Sequence, residues 1–404
     1  MKKRSLDVHD YSAGKFFGRL EDFLGAAEID RRLARIDVEL RSETGLYLRE
    51  WVMPKRAWWL GFREARAIMR RNGSFRRAIT PIMERPLQTA AKVSMLHSSM
   101  PDWKQHEFRS RILADDVLDP TLFEIDCATH FHVLGYDIEW FELPKVEGVR
   151  SPEFIATGNG VQIEVECKAK QADSGRRVER ASFYRALDEL VPVVHSKGLC
   201  GTIILIVPAR FPTRASWREE ARNALDQQLT DGHTIIALPG GEKFECELRP
   251  ADGSNVLIQD LATQMAAAEH PYSHFAVTGI RTPHSVIDPL IFRLESAKKD
   301  TFLQNVLESL RSAQGQFTGE RAALINCMLP EIDSFEGLQA DSAVQKMTYL
   351  FFDQYARPCI NAVTYVSEAR REVQGLVISS DMPSLTFRNH KYEPRFGPDV
   401  AVYG

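Results

Sequence analysis

The stretch SPEFIATGNGVQIEVECKAK, residues 151–170, decides how this chain is read. Asn159-Gly160 is a strong hairpin signal, because both residues tolerate the positive φ of a type I′ turn. With those two residues as the loop, Gly158 faces Val161 and Glu153 faces Glu166. Alternation along a strand then puts Glu164, Glu166 and Lys168 on one face and turns Ile163, Val165 and Cys167 to the other. Directly opposed residues have Cβ atoms about 4.5–5.5 Å apart, and like charges at that spacing destabilise a sheet. Two facing carboxylates beside a third therefore need a compensating charge. A divalent cation supplies it, with hard oxygen ligands on neighbouring strands and water in the remaining positions around Mg²⁺; Mn²⁺ is the expected substitute.

Lys168 follows Glu166 by two residues on the same face. An ammonium there stabilises charge developing at a phosphorus centre and helps to lower the pKa of a metal-bound water. Upstream, Asp119-Pro120 reads as a helix start and Gly135 as its C-terminal stop. The helix between them carries Glu124 in its first turn, where it can reach the same face as a further ligand or base. Favourable interaction with the helix dipole is the other account of a glutamate there.

Working outward, residues 136–143, 152–158 and 161–170 read as strands. A helix at 177–196, the apolar strand GTIILIVP at 201–208, a helix at 215–229 and a strand at 233–238 follow. A boundary is expected after Pro239-Gly240-Gly241. Beyond it a helix at 300–317, the strand AALINCML at 322–329, a helix at 337–352 and strands at 359–366 and 375–380 make a second α/β unit. The expected domains are a basic helical 1–118, a central 119–245 and a C-terminal 246–404 of unassigned role.

Glu124, then Pro152-Glu153, then Glu166-Cys167-Lys168, set on helix–strand–strand–strand–helix–strand, resembles the PD-(D/E)XK, or restriction-endonuclease-like, nuclease superfamily. The resemblance covers about 119–208. It implies a mixed sheet flanked by helices, with Glu153 and Glu166 as Mg²⁺ ligands, Lys168 assisting the attacking water and Glu124 as the accompanying helix acid. Position 153 is Glu where the family usually has Asp. The implied activity is metal-dependent hydrolysis of phosphodiester bonds in nucleic acid, DNA ahead of RNA, in the setting of a bacterial or phage defence system. A homodimer, or a partner protein of the same system, is the accompanying expectation. The alternative is a catalytically weak nucleic-acid-binding or assembly subunit that keeps the fold.

The 404 residues are 44% hydrophobic and 26% charged, values of a globular chain rather than a disordered or fibrous one. The net charge of −4 is unevenly spread: residues 1–118 hold 23 Lys/Arg against 16 Asp/Glu, a net of +7 that leaves −11 for the remainder. Within this basic head, Lys55–Arg71 reads as an amphipathic helix. Trp58, Phe62, Ala65 and Met69 lie on one side, and Arg56, Arg63, Arg66 and Arg70 on the other, where they can follow a phosphate backbone. Arg176 and Arg177, at the start of the next helix after the hairpin, are candidates to hold a phosphate, with Gln171 and Tyr184 as weaker neighbours. Trp51, Trp58 and Trp59 either stack on bases or pack between helices.

Other chemistries lack their motifs. There is no phosphate-binding GxxxxGK[ST], no strand-linked GxGxxG, no HExxH and no GxSxG. Six scattered cysteines read as buried thiols of a reducing compartment. With no apolar run long enough to span a bilayer and none after the basic N-terminus, the expectation is a cytoplasmic protein without membrane contact.

Overall fold

A computed structural model of the protein describes residues 8–42, 46–75, 79–114, 118–141, 151–170, 175–212, 216–230, 234–261, 274–329, 342–366, 370–374, 377–381 and 384–397. In chain order the first elements are β1 (Val8–His9) and helices α1 (Asp10–Leu24), α2 (Ala26–Ser42), α3 (Leu46–Asn72), α4 (Glu84–Leu96), α5 (Asp102–Leu113) and α6 (Leu118–Val133). Strands β2 (Asp137–Trp140), β3 (Phe154–Gly158) and β4 (Val161–Ala169) follow. Then come α7 (Arg180–Ser196), β5 (Leu199–Val207), α8 (Trp217–Thr230), β6 (Ile235–Ala237), β7 (Lys243–Pro250), β8 (Asn255–Leu257), β9 (His274–Arg281) and β10 (Ser285–Ser296). The chain continues through α9 (Phe302–Gln314), β11 (Ala322–Met328), α10 (Ser342–Gln354), β12 (Ile360–Val366), β13 (Arg370–Gln374), β14 (Val377–Asp381) and β15 (Ser384–Arg388). The class is α/β with mixed sheets.

The chain divides into two compact units. The first comprises Met1–Glu39, Arg56–Ser174 and Leu303–Gly404, and the second Leu40–Lys55 and Gly175–Phe302. This differs from the expected boundaries 1–118, 119–245 and 246–404. The strand that lies beside β4 on its open side is β11, more than 150 residues downstream, paired in parallel with Ile163 opposite Ala322 and Ala169 opposite Met328. The strand at 201–208, the last element of the resemblance, belongs to the other sheet, between β7 and β10. Both segments are short apolar runs, but β11 is buried along its whole length whereas β5 alternates buried with partly exposed residues. Periodicity alone cannot say which of them joins β4.

In the first unit the main sheet runs β15-β12-β11-β4-β3-β2. β2, β3 and β4 form an antiparallel meander, β4, β11 and β12 are parallel, and β15 closes the edge antiparallel to β12. Every residue of β11 and β12 is buried. α6 packs against the meander through Phe131, whose ring lies 5.7 Å from that of Phe154. It ends as Gly135 foretells: φ is +88°, the Gly135 N–H reaches His132 O at 3.0 Å, and the Tyr136 N–H reaches Phe131 O at 3.1 Å. These two bonds satisfy carbonyls that the helix end leaves open.

The second unit has its own sheet, β6-β7-β5-β10-β8, with β9 also paired to β10. Its core packs Phe183, Leu187 and Leu190 of α7 with Ile203 and Leu205 of β5 and Phe292 of β10. The two ends of this inserted segment are tied together. Thr301 N–H donates to Gly175 O at 2.8 Å, and Arg177 N–H to the Asp300 carboxylate at 2.7 Å.

Among the described residues no helix is long and apolar enough to cross a membrane.

Candidate active site

The hairpin β3–β4 has the register that its turn dictates. Asn159 and Gly160 stand at φ +53° and +76°, the left-handed conformations of the tight turn. Gly158 pairs with Val161 and Phe154 with Val165. Glu153, the residue before β3, continues this register opposite Glu166, and its N–H donates to Val165 O at 3.1 Å. Glu166 is 2% exposed and forms an ion pair with Lys168, whose side chain is 25% exposed. Glu153, Glu166 and Lys168 thus share one end of the hairpin.

Glu164 has the same strand parity but a different role. It is fully buried and accepts hydrogen bonds from the Thr318 N–H at 2.9 Å, the Thr318 hydroxyl, and Arg321 at 3.2 Å. Its charge fastens the turn before β11 to β4. The third carboxylate of the expected acidic face is therefore already neutralised.

Glu124 is 1% exposed on α6 and is held by two cations from α5. Lys104 Nζ lies 2.6 Å from one carboxylate oxygen and Arg111 2.7 Å from the other. Both cations also reach Glu107, at 3.2 and 2.8 Å. The Lys104 ammonium sits 4.6 Å from the centre of the Phe108 ring and 5.1 Å from that of Trp140, close enough for attraction to their π faces. Lys104, Glu107 and Arg111 are the partners around Glu124 that the motif reading missed. The signal was present, since spacings of three and four place them on one face of a helix.

Electrostatics ties these groups into one cluster. Burial, then the nearby Glu124 and Glu166 charges, push the Glu153 carboxyl up to about 8, against the pull of Lys104 and Arg111. Burial likewise raises Glu166, and Lys168 opposes the shift. Burial works against the charge of Lys104, but Glu124, Glu107 and Glu153 together hold its ammonium above the usual lysine range. Burial and the neighbouring Cys127 thiol raise the Cys167 thiol well above its ordinary value, so it keeps its proton.

The residues present fit a divalent cation at Glu153 and Glu166. The Glu153 carboxylate has no hydrogen bond or ion pair among the described residues, and its raised pKa records the cost of charging it where it is buried, beside Glu124 and Glu166. Mg²⁺ ordinarily takes one or two protein carboxylates and keeps several waters. Among the described residues no three acidic, histidine or cysteine side chains converge into a ready-made metal cage. Glu124, the expected third acid, is ion-paired through both oxygens, to Lys104 through one and to Arg111 through the other.

The arginines expected to grip nucleic acid are mostly turned onto the protein's own acids. Arg66 is 5% exposed and pairs with Glu21 at 2.8 Å and with Asp30. Arg63 pairs with Asp37, and Arg56 with Glu39 at 2.9 Å. These pairs fasten α3 to α1 and α2. Arg70 alone of the four is exposed without an ion pair among the described residues. Trp58 and Trp59 are 1% exposed and pack against Phe62, so they are core rather than stacking platforms. Arg177 joins the ends of the inserted segment through Asp300 and the Lys299 carbonyl, and Arg176 beside it is half-buried. Gln171 and the Trp51 side chain lie outside the described residues. Comparison with protein-family models, with curated proteins and with solved structures returns no match to this chain.

Proposed function

We propose that this protein is a metal-dependent nuclease built on a PD-(D/E)XK-like core. The single observation that carries the reading is the hairpin register. It sets Glu153 opposite Glu166 and places Lys168 against Glu166. The element order supports it: α6, the β2–β3–β4 meander, α9 and the parallel β11 follow the helix–strand–strand–strand–helix–strand sequence of that superfamily, with residues 175–302 inserted before α9.

In this reading Glu153 and Glu166 would hold a divalent cation, which would supply an activated water and charge neutralisation at the phosphate. Lys168 presents its ammonium next to Glu166, where it stabilises negative charge gathering on the phosphoryl oxygens. The water oxygen bonds to phosphorus, the bond to the leaving sugar oxygen breaks, and a water proton ends on that oxygen. Glu153 is one methylene longer than the aspartate usual at its position and still presents two oxygens. Nucleic acid is the partner, DNA ahead of RNA.

The test is a cleavage panel of plasmid, linear duplex, single-stranded DNA and RNA, each with Mg²⁺, Mn²⁺ or EDTA. Metal-dependent cutting supports the reading. The saturation of Glu124 by Lys104 and Arg111 favours a second one, a catalytically weak binding or assembly subunit on the same fold. Retention of nucleic acid in EDTA with no cutting in either metal would select it.

A further inference from the structure

We propose that the site takes one divalent cation rather than two, and that Glu124 stands outside its ligand set. The inference rests on the metal-site reading above. It follows from how charge is divided between two neighbouring groups. Lys104, Glu107 and Arg111 of α5 close a square with Glu124 of α6. Lys104 lies 2.6 Å from Glu124 and 3.2 Å from Glu107, and Arg111 lies 2.7 and 2.8 Å from the same two carboxylates.

Two cations and two carboxylates leave that square neutral. Lys104 is 2% exposed and flanked by the Phe108 and Trp140 rings, so if Glu124 leaves it only Glu107, at 3.2 Å, remains to answer its charge. Taking one partner from a buried pair leaves the other charge short of compensation, here two cations on the single carboxylate of Glu107, a costly rearrangement. A metal ion would have to do this to recruit Glu124.

What remains is Glu153, Glu166 and Lys168, a net charge of −1 with both carboxylates ionised. One divalent cation turns this to +1, the complement of a single phosphodiester anion. A second ion would bring the site to +3 and would find no uncommitted carboxylate in the cluster. The square thus sets the metal stoichiometry of the site beside it.

Mn²⁺ titration of the full chain, followed by the loss of the free-ion paramagnetic resonance signal, counts bound ions without any variant. One ion per chain is expected. Two ions overturn this inference while leaving the metal site standing, whereas none overturns the nuclease reading and the inference with it. The paired variant Glu124→Gln with Lys104→Met keeps the local charge balance. It should retain one ion with a dissociation constant within about threefold of the unaltered protein, because the two opposite charges it removes largely cancel at the site and no ligand oxygen is lost. Glu166→Gln should weaken binding about tenfold or more, since it removes a charged oxygen ligand. Loss of the ion in the paired variant to the extent seen in Glu166→Gln would make Glu124 a ligand and overturn the proposal.

Discussion

Lys104 Nζ and a Glu124 carboxylate oxygen lie 2.6 Å apart, with both side chains 2% exposed. A pair this deep holds α5 against α6 and fixes the electrostatic wall of the candidate site. Lys104→Met should cost about 3–5 kcal/mol, because it leaves Glu124 buried with one cation fewer. Urea unfolding measures it. Adding Glu124→Gln should recover much of that loss, and strict additivity of the two single effects would show that they are not coupled.

The raised Glu153 carboxyl gives stability a definite pH dependence. Its folded value of about 8 lies above the ordinary 4.5, so the folded form holds its proton more tightly than the unfolded form. The stability it contributes is complete below the ordinary value and is lost as pH rises through about 8. Glu166 shifts in the same direction. Thermal melts of metal-free protein should therefore show this contribution falling as pH rises from the ordinary 4.5 to about 8, with added Mg²⁺ stabilising most at the upper end of that range. Glu153→Gln should flatten the trend. An equal slope in the variant would remove Glu153 as its source.

The register of the hairpin depends on a turn that a side chain with a branched Cβ resists. Gly160 stands at φ +76°. Gly160→Val should destabilise the protein by about 1–2 kcal/mol through left-handed backbone strain alone. Calorimetry on this variant, beside Asn159→Gly as a permissive control, separates that strain from loss of the asparagine side chain. Equal melting temperatures for all three proteins would contradict the account of the turn.

Arg66 should behave as a fastener of helices. Replacing it with Ala strands Glu21 and Asp30 and should cost about 1.5–3 kcal/mol, the range for hydrogen bonds to charged groups. The salt dependence of nucleic-acid binding should not change. A phosphate contact at Arg66 would instead lower the slope by about 0.9.

The hairpin was legible in the sequence because its cause is local. Asn-Gly fixes the turn, the turn fixes the register, and alternation fixes which residues face one another. Gly135 announced the end of α6 for the same reason. What stayed hidden is what depends on distant partners. Nothing near Val161–Ala169 says that Ala322–Met328 is its neighbour, because the 175–302 segment intervenes and supplies an equally apolar strand. Helical periodicity located the arginines of α3 opposite its apolar side, but their acids come from other helices. The hold of Lys104 and Arg111 on Glu124 likewise joins two helices. Each helix displays half of the arrangement, and charge alone does not tell a solvated side chain from a buried pair.

Cleavage of a linear DNA duplex by Lys168→Ala and Glu166→Gln, beside the unaltered protein, tests the central claim most directly. The account predicts cutting that requires Mg²⁺ and falls about 10²–10³-fold in each variant, the scale for removing one preorganised group that stabilises the transition state, with circular dichroism showing both variants folded. Folded variants that cut as fast as the unaltered protein, or cutting that persists in EDTA, would contradict it.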